Sequence, residues 1–183
     1  NEWYDGAAEL ADHLYRNMGG GNFSEATGAI PSLLANKSCV AAADADKDGD
    51  IDLFVGGLAN AAAYGLPQSS YLLLNNGKGV FERATESIIN LTKIGLVTAA
   101  AFADIDGDNL PELLVTGEWM PLRIYKNNNG KFTASEVPNS TGLWQTLQVV
   151  DVNQDGKPDI LAGNWGHNTK LHAGKNGPVK LYV

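Results

Sequence analysis

The sequence lacks the features on which several large classes of protein depend. Its single cysteine, Cys39, cannot form an internal disulfide or a thiolate metal site, and its place in an apolar run predicts a buried structural thiol. No apolar run approaches the ~20 residues of a membrane-spanning helix. Basic residues are few, with 13 Lys and Arg against 21 Asp and Glu and a formal net charge of -8. Because phosphate backbones repel such a chain, nucleic acid is not expected as a partner.

Catalytic signatures are missing as well. The chain contains no Gly-x-Ser-x-Gly, no His-Glu-x-x-His and no phosphate-binding glycine loop. Its three histidines, His13, His167 and His172, accompany no serine or cysteine nucleophile motif, and we expect them to be ordinary loop residues. We therefore predict that the chain is not an enzyme. The alternative is an accessory domain of a larger secreted enzyme whose catalytic residues lie elsewhere.

What the chain does contain is a repeated acidic pattern. Three segments, residues 44–52, 104–112 and 151–159, carry side-chain oxygens at positions 1, 3, 5 and 9 counted from the first acid. Their starts lie 60 and then 47 residues apart. Position 6 is glycine, asparagine and glycine, the residue types that tolerate a left-handed backbone. Three aligned copies of one pattern indicate a repeat protein.

The sequence around the acidic segments predicts antiparallel strands. Short apolar runs flank each segment, such as residues 40–43 and 53–57 around the first, which is typical of buried strands. Asn- and Gly-rich stretches at 15–24, 74–82 and 124–133 predict hairpins. One unit is then strand, acidic loop, strand, linker, strand, turn and strand. This is the size of a propeller blade, so we predict an all-β fold of antiparallel four-stranded blades over residues 1–183, with about three blades present.

The acidic loops have the chemistry of calcium sites. Neighbouring carboxylates repel one another unless a cation neutralises them, and alternating oxygens on a curled loop suit calcium. Without His or Cys in the loops, zinc and copper fit poorly. Positions 1, 3, 5 and 9 would contribute side-chain oxygens and position 7 a backbone carbonyl, for up to three Ca²⁺ ions. The predicted ligands are Asp44, Asp46, Asp48, Asp50 and Asp52; Asp104, Asp106, Asp108, Leu110 and Glu112; and Asp151, Asn153, Asp155, Lys157 and Asp159.

Two other interpretations of the acidic loops are an EF-hand and acidic turns without metal. An EF-hand requires a glutamate at position 12, where this chain has Val55, Val115 and Ala162, and it requires helices where strands are predicted. The EF-hand is therefore excluded. Solvated acidic turns without metal stay open as an alternative. The third loop has Asn153 in place of an acid and is expected to bind calcium most weakly.

The pattern Asp-x-Asp-x-Asp-Gly-x-x-Asp between two strands resembles the FG-GAP or VCBS repeat, the calcium-loop blade of integrin alpha-chain propellers. The segments 117–121, 162–168 and 178–183 further resemble bacterial secreted VCBS-repeat proteins associated with the ASPIC/UnbV domain. This resemblance implies calcium in the blade hairpins, a full ring of about seven blades and a place outside the cytoplasm. Since both ends of the chain fall inside repeat units, we expect a segment of a longer protein that is prone to self-association.

The expected function is a non-catalytic, extracytoplasmic calcium-binding scaffold for protein interaction or adhesion. The alternative is a carbohydrate-binding, lectin-like propeller in which Trp119 and Trp165 provide platforms for sugar rings. Packing between blades is the other explanation for these tryptophans. A protein or a glycan at the cell surface is thus the expected partner.

Overall fold

The computed structural model describes residues 6–166, which form twelve strands and one short 3₁₀ turn at Ala8–Leu10. No helix in this part of the chain is long and apolar enough to cross a membrane. The strands are β1 (Tyr15–Gly19), β2 (Asn22–Glu25), β3 (Asn36–Ala43), β4 (Asp52–Ala59), β5 (Tyr71–Asn75), β6 (Phe81–Arg83), β7 (Leu96–Ala103), β8 (Glu112–Met120), β9 (Arg123–Asn128), β10 (Lys131–Glu136), β11 (Gly142–Val150) and β12 (Asp159–Asn164).

The strands are arranged as consecutive antiparallel blades. β3, β4, β5 and β6 form one complete blade in chain order, and β7, β8, β9 and β10 repeat the same meander. The β1–β2 hairpin precedes them and the β11–β12 hairpin follows. The two blades and two hairpins together contain twelve strands, the number in three four-stranded blades. The structure confirms the predicted all-β class. We call the two complete blades the second and third blades.

One strand pair crosses a blade boundary. The end of β8 pairs with the beginning of β11, with Gly142 opposite Met120 and Leu143 opposite Glu118. The Glu118 carboxylate also accepts hydrogen bonds from the Tyr64 hydroxyl and from Gln145 Nε2. Backbone and side-chain bonds therefore connect the third blade to its neighbours at this end of the strands.

The second strand of each complete blade lies at the centre of the packing. Both β4 and β8 are buried along most of their length, because their alternate side chains pack against the blades on either side. Phe54 and Leu113 belong to the core between the second and third blades. Val55 packs toward the first hairpin, and Leu114 packs toward β11. Each such side chain contributes about 1.5–3 kcal/mol when it is buried, so the fold is stabilised mainly by stacking of blades.

Polar contacts add to this stacking in places. Ser38 Oγ, on β3, donates to the carbonyl of Val97 at 2.6 Å, which joins the second blade to the third. Cys39 is half-buried beside it and packs against the core between the two blades. Burial raises the pKa of the Cys39 thiol, so the thiol favours its neutral form, as expected of a structural cysteine.

Candidate metal centres

The three acidic loops join the first and second strands of successive units. They occupy residues 44–51 between β3 and β4, residues 104–111 between β7 and β8, and residues 151–158 between β11 and β12. We call them the first, second and third loops. Because the loops follow equivalent strands, they leave their blades at the same end, as the repeat predicted.

A left-handed backbone at two positions curls each loop. At position 6, φ is 96° for Gly49, 64° for Asn109 and 84° for Gly156, which confirms the expectation for this position. At position 4, φ is also positive, with 64° for Lys47 and 60° for Gln154. The conformation at position 4 was not predicted, because Lys and Gln carry no signal for it. Gly107, with a φ of 82° at position 4 of the second loop, was the available hint.

The first acid of each loop closes the curl. One oxygen of Asp44 accepts the N–H of Gly49, at 3.0 Å. The same bond joins Asp104 to the N–H of Asn109 at 2.8 Å and Asp151 to the N–H of Gly156 at 2.8 Å. Each first acid therefore uses Oδ2 to hold the loop.

The first two loops bring three carboxylates together. Ligand oxygens of Asp44, Asp46 and Asp48 all lie within 4.8 Å of one another, and those of the equivalent acids at 104, 106 and 108 do the same. In the first loop, Oδ1 of Asp44 is buried and accepts no hydrogen bond. A buried carboxylate oxygen without a donor is costly, and a hard cation among these oxygens removes that cost. The residues of the first loop therefore fit calcium.

The third loop differs at its third position. Asn153 Nδ2 donates to Oδ2 of Asp155 at 3.2 Å, and Asn153 Oδ1 accepts the N–H of Asp155 at 3.0 Å. The third loop thus has one negative charge fewer at this position, and the amide of Asn153 donates a hydrogen bond to the carboxylate of Asp155. That the third loop binds a cation most weakly stays a prediction.

The seventh residue of each loop directs its backbone N–H to the fifth acid. Asp50, Leu110 and Lys157 each donate a backbone N–H to Oδ1 of the fifth-position aspartate, at 2.9 Å in all three loops. These bonds hold the fifth acid in place. Coordination through the carbonyls of the seventh residues stays a prediction.

The ninth-position acid has a role that the sequence analysis did not foresee. Asp52 is fully buried, and it accepts the N–H of Ala45 at 2.9 Å and the N–H of Asn75 at 2.8 Å. Burial raises the pKa of Asp52, while these two N–H groups act in the opposite direction. The carboxylate therefore connects the first loop to β5, and it lies outside the group formed by the other three acids.

The second loop repeats this connection, and the third loop repeats its bond within the loop. Glu112 is also buried, and it accepts the N–H of Ile105 at 3.0 Å and the N–H of Asn127 at 3.3 Å. Asp159 accepts the N–H of Val152 at 3.0 Å. Ligation of a metal by these ninth acids stays a prediction, whereas their bonds to the backbone are structural.

Asparagines near the ends of β5 and β9 bind the loops of their own blades. Asn75 Nδ2 donates to the carbonyl of Ile51 at 3.1 Å, and Asn127 Nδ2 donates to that of Pro111 at 3.1 Å. Buried Asn127 also donates to the carbonyl of Ala45 in the first loop, at 2.8 Å. The first loop is therefore tied to the hairpin of the next blade. The recurring Asn-rich turns were visible in the sequence, but this contact was not.

The charges of the two acid clusters are balanced differently. In the first loop, burial and the neighbouring Asp48 raise the pKa of Asp46. In the second loop, burial acts to raise the pKa of Asp104, but backbone N–H groups of the loop outweigh it and the net pKa is lowered. Lys126 donates to Asp106 and Asp108, and the bond to Asp106 is the main reason that the pKa of Lys126 is raised.

The two tryptophans proposed as sugar platforms lie in different surroundings. Trp119, near the end of β8, is half-buried, its indole nitrogen is buried and its φ is 60°. Trp165 follows β12, is 50% exposed and donates its backbone N–H to the carbonyl of Leu143 at 2.9 Å. Within residues 6–166 no ring contact joins the two indoles. Nδ1 of His13 lies 2.7 Å from Oε1 of Glu25. His167 and His172 fall outside the described residues.

Four-stranded antiparallel blades with an acidic loop between the first two strands define a segment of a repeat-built β-propeller. Models of the FG-GAP-like repeat match residues 4–55, 60–115 and 104–162, and the FG-GAP repeat model matches residues 143–182. The chain belongs to the FG-GAP repeat family, which confirms the resemblance seen in the sequence. No curated protein matches it. The association with an ASPIC/UnbV domain stays a prediction.

Proposed function

We propose that this chain is a calcium-binding propeller segment that acts outside the cytoplasm as a non-catalytic scaffold for protein recognition or adhesion. Membership of the FG-GAP family supports the scaffold. The buried, unpartnered Oδ1 of Asp44, inside the cluster with Asp46 and Asp48, carries the calcium part of the proposal.

The loop geometry supports a structural role for the ion. Asp44, Asp46 and Asp48 would hold calcium, which supplies positive charge where three carboxylates meet. The backbone bonds of Asp52 then connect the filled loop to β5, and Asn127 connects it to the third blade. Calcium would thereby stiffen the junction between the two complete blades and hold the recognition surface in one shape.

The proposed location outside the cytoplasm is supported by the calcium concentration that such sites need. Exposed sites of extracellular modules bind calcium with dissociation constants of roughly 10⁻⁴–10⁻³ M. Such sites fill outside the cytoplasm and stay empty where free calcium is kept low. The location of FG-GAP relatives, typically extracellular, supports the same conclusion.

Thermal unfolding in EDTA, and then in millimolar calcium or magnesium, tests the proposal. We expect 10 mM calcium to stabilise the protein by about 1.4 to 2.7 kcal/mol for dissociation constants of roughly 10⁻³ to 10⁻⁴ M, and magnesium to have a much smaller effect. Asp46→Asn should remove most of the gain. Asp50→Asn is the matched control, because it removes the same charge from the same loop and keeps the backbone carbonyl.

Isothermal titration calorimetry provides the independent measurement. Calcium binding heats whose tightest site is lost in Asp46→Asn would support the proposal. An unchanged melting temperature together with an absence of binding heat would contradict it. The acidic loops would then be solvated turns.

Glycan binding is the second candidate, and the half-exposed indole of Trp165 is the observation that favours it. Exposed tryptophan faces stack on sugar rings through apolar contact. If this function is correct, Trp165→Ala should weaken binding on a glycan array at least about tenfold, the scale of one buried aromatic contact. Tyr64→Ala, at another half-exposed aromatic residue, is the control, and no saturable glycan binding by the unmodified protein would remove this candidate.

A further inference from the structure

The first and second loops are neutralised by different means. In the second loop, the ammonium of Lys126 contacts Oδ2 of Asp106, and it lies 3.4 Å from Oδ2 of Asp108. Lys126 belongs to β9, the strand beside β8 in the same blade. A positive charge from the protein itself therefore lies against two of the three acids of the second cluster.

Among residues 6–166, no lysine or arginine forms an ion pair with an acid of the first loop. Leu53 pairs with Leu73 in the second blade as Leu113 pairs with Tyr125 in the third. The residue that follows is Leu74 in one blade and Lys126 in the other. Leu74 packs against the core between the two blades.

The acids of the two loops also differ in their donors. Oδ1 of Asp44 is buried without a donor, whereas Oδ1 of Asp104 accepts the N–H groups of Gly107 and Asp108 at 2.7 and 3.2 Å. Where the lysine stands, two carboxylates of the cluster receive N–H donors from an ammonium. A lysine ammonium carries one positive charge and three donors, so it satisfies part of the demand that a cation would otherwise satisfy.

We propose that Lys126 is a built-in counter-cation of the second loop, so that calcium fills the first loop in preference and the second loop keeps its shape without metal. The inference rests on the proposed calcium function. A divalent ion entering the second loop must displace the ammonium or bind beside it, and either event weakens binding. Repulsion between charges a few ångströms apart is large enough to change affinity by about tenfold or more, even near a protein surface.

The test is calcium titration by calorimetry of the unmodified protein and of Lys126→Met. Methionine keeps the length and the apolar stem of lysine but removes its charge and donors. Two backgrounds assign the sites. Asp46→Asn leaves the second loop and Asp106→Asn leaves the first, and the third loop is unchanged in both, so any binding by it is common to the two titrations. In the Asp46→Asn background, we expect Lys126→Met to strengthen calcium binding about tenfold or more. In the Asp106→Asn background the effect should be several-fold smaller, because the ammonium of Lys126 bonds to acids of the second loop.

Lys131→Met is the matched control. Lys131 is an exposed lysine at the start of β10 in the same blade, so its removal changes the net charge equally. If Lys131→Met strengthens the second site as much as Lys126→Met does, general electrostatics explains the effect and the proposal is wrong. If the second site of the unmodified protein already binds as tightly as the first, the proposal is also wrong.

A metal-free measurement separates this inference from the calcium function. In EDTA, Lys126→Met should lower the melting temperature by a few degrees more than Lys131→Met, because the acids of the second loop lose their counter-charge. Absence of that difference would overturn the counter-cation role, whatever calcium does. Absence of calcium binding in all variants, with the EDTA difference intact, would instead contradict the proposed calcium function and leave Lys126 as the charge partner of the loop.

Discussion

Asp52→Ala and Glu112→Ala are expected to lower the free energy of unfolding by about 3 kcal/mol or more, in calcium and in EDTA alike. Each of these buried carboxylates accepts two backbone N–H groups, one from its own loop and one from the neighbouring hairpin strand. Alanine leaves both donors without an acceptor, and each unsatisfied buried donor costs about 1–3 kcal/mol.

Urea unfolding with and without calcium measures this effect. Asp48→Ala is the control, because Asp48 belongs to the acid cluster and is exposed. It should cost less than about 1 kcal/mol in EDTA and should reduce the calcium response. A different result for Asp52→Ala would contradict this role: a small loss of stability in EDTA together with a reduced calcium response. The ninth acid would then be a metal ligand, as the sequence pattern predicted, and its bonds to the backbone would contribute little.

Gly57→Ala and Gly117→Ala should be equally damaging for a steric reason. A Cβ on Gly57 would lie 2.2 Å from the carbonyl oxygen of Ser69, and a Cβ on Gly117 would lie 2.1 Å from that of Leu96. Both obstacles are backbone atoms of adjoining segments, so a rotamer change cannot relieve the overlap. We expect each substitution to cost about 3 kcal/mol, at the upper end of overpacking effects.

Gly49→Ala distinguishes overlap from backbone strain in these variants. Gly49 has a φ of 96°, and a Cβ there would meet nothing within 4 Å. Its replacement should cost about 1–2 kcal/mol, the price of a left-handed alanine. Equal losses of stability at Gly49 and Gly117, measured by chemical unfolding, would contradict the close approach of the strands at Gly117.

Much of the fold followed from the repeat. Buried strands alternate with polar turns in the sequence, so the strands around each acidic loop and the three hairpins were predictable from pattern. The left-handed backbone at position 6 was predictable as well, because Gly49 and Gly156 carry the residue type that this conformation favours.

The use of individual side chains was not predictable, because it depends on which strand lies beside which loop. Asp52 has the same residue type as the cluster acids, and only its burial beside β5 shows that it accepts backbone N–H groups. Lys126 is an ordinary strand lysine in the sequence, and only the pairing of β9 with β8 brings it to the second loop. Local sequence carries no signal for such neighbours.

The pairing of β8 with β11 affects how repeats of this kind can be exchanged between proteins. The matched repeat units, such as residues 60–115, start within one blade and end within the next. A graft cut between β10 and β11 would also separate Met120 and Glu118 from Gly142 and Leu143. A repeat moved into another protein must therefore include the first residues of the following blade, and the cut that keeps its strand pairs together lies inside a blade.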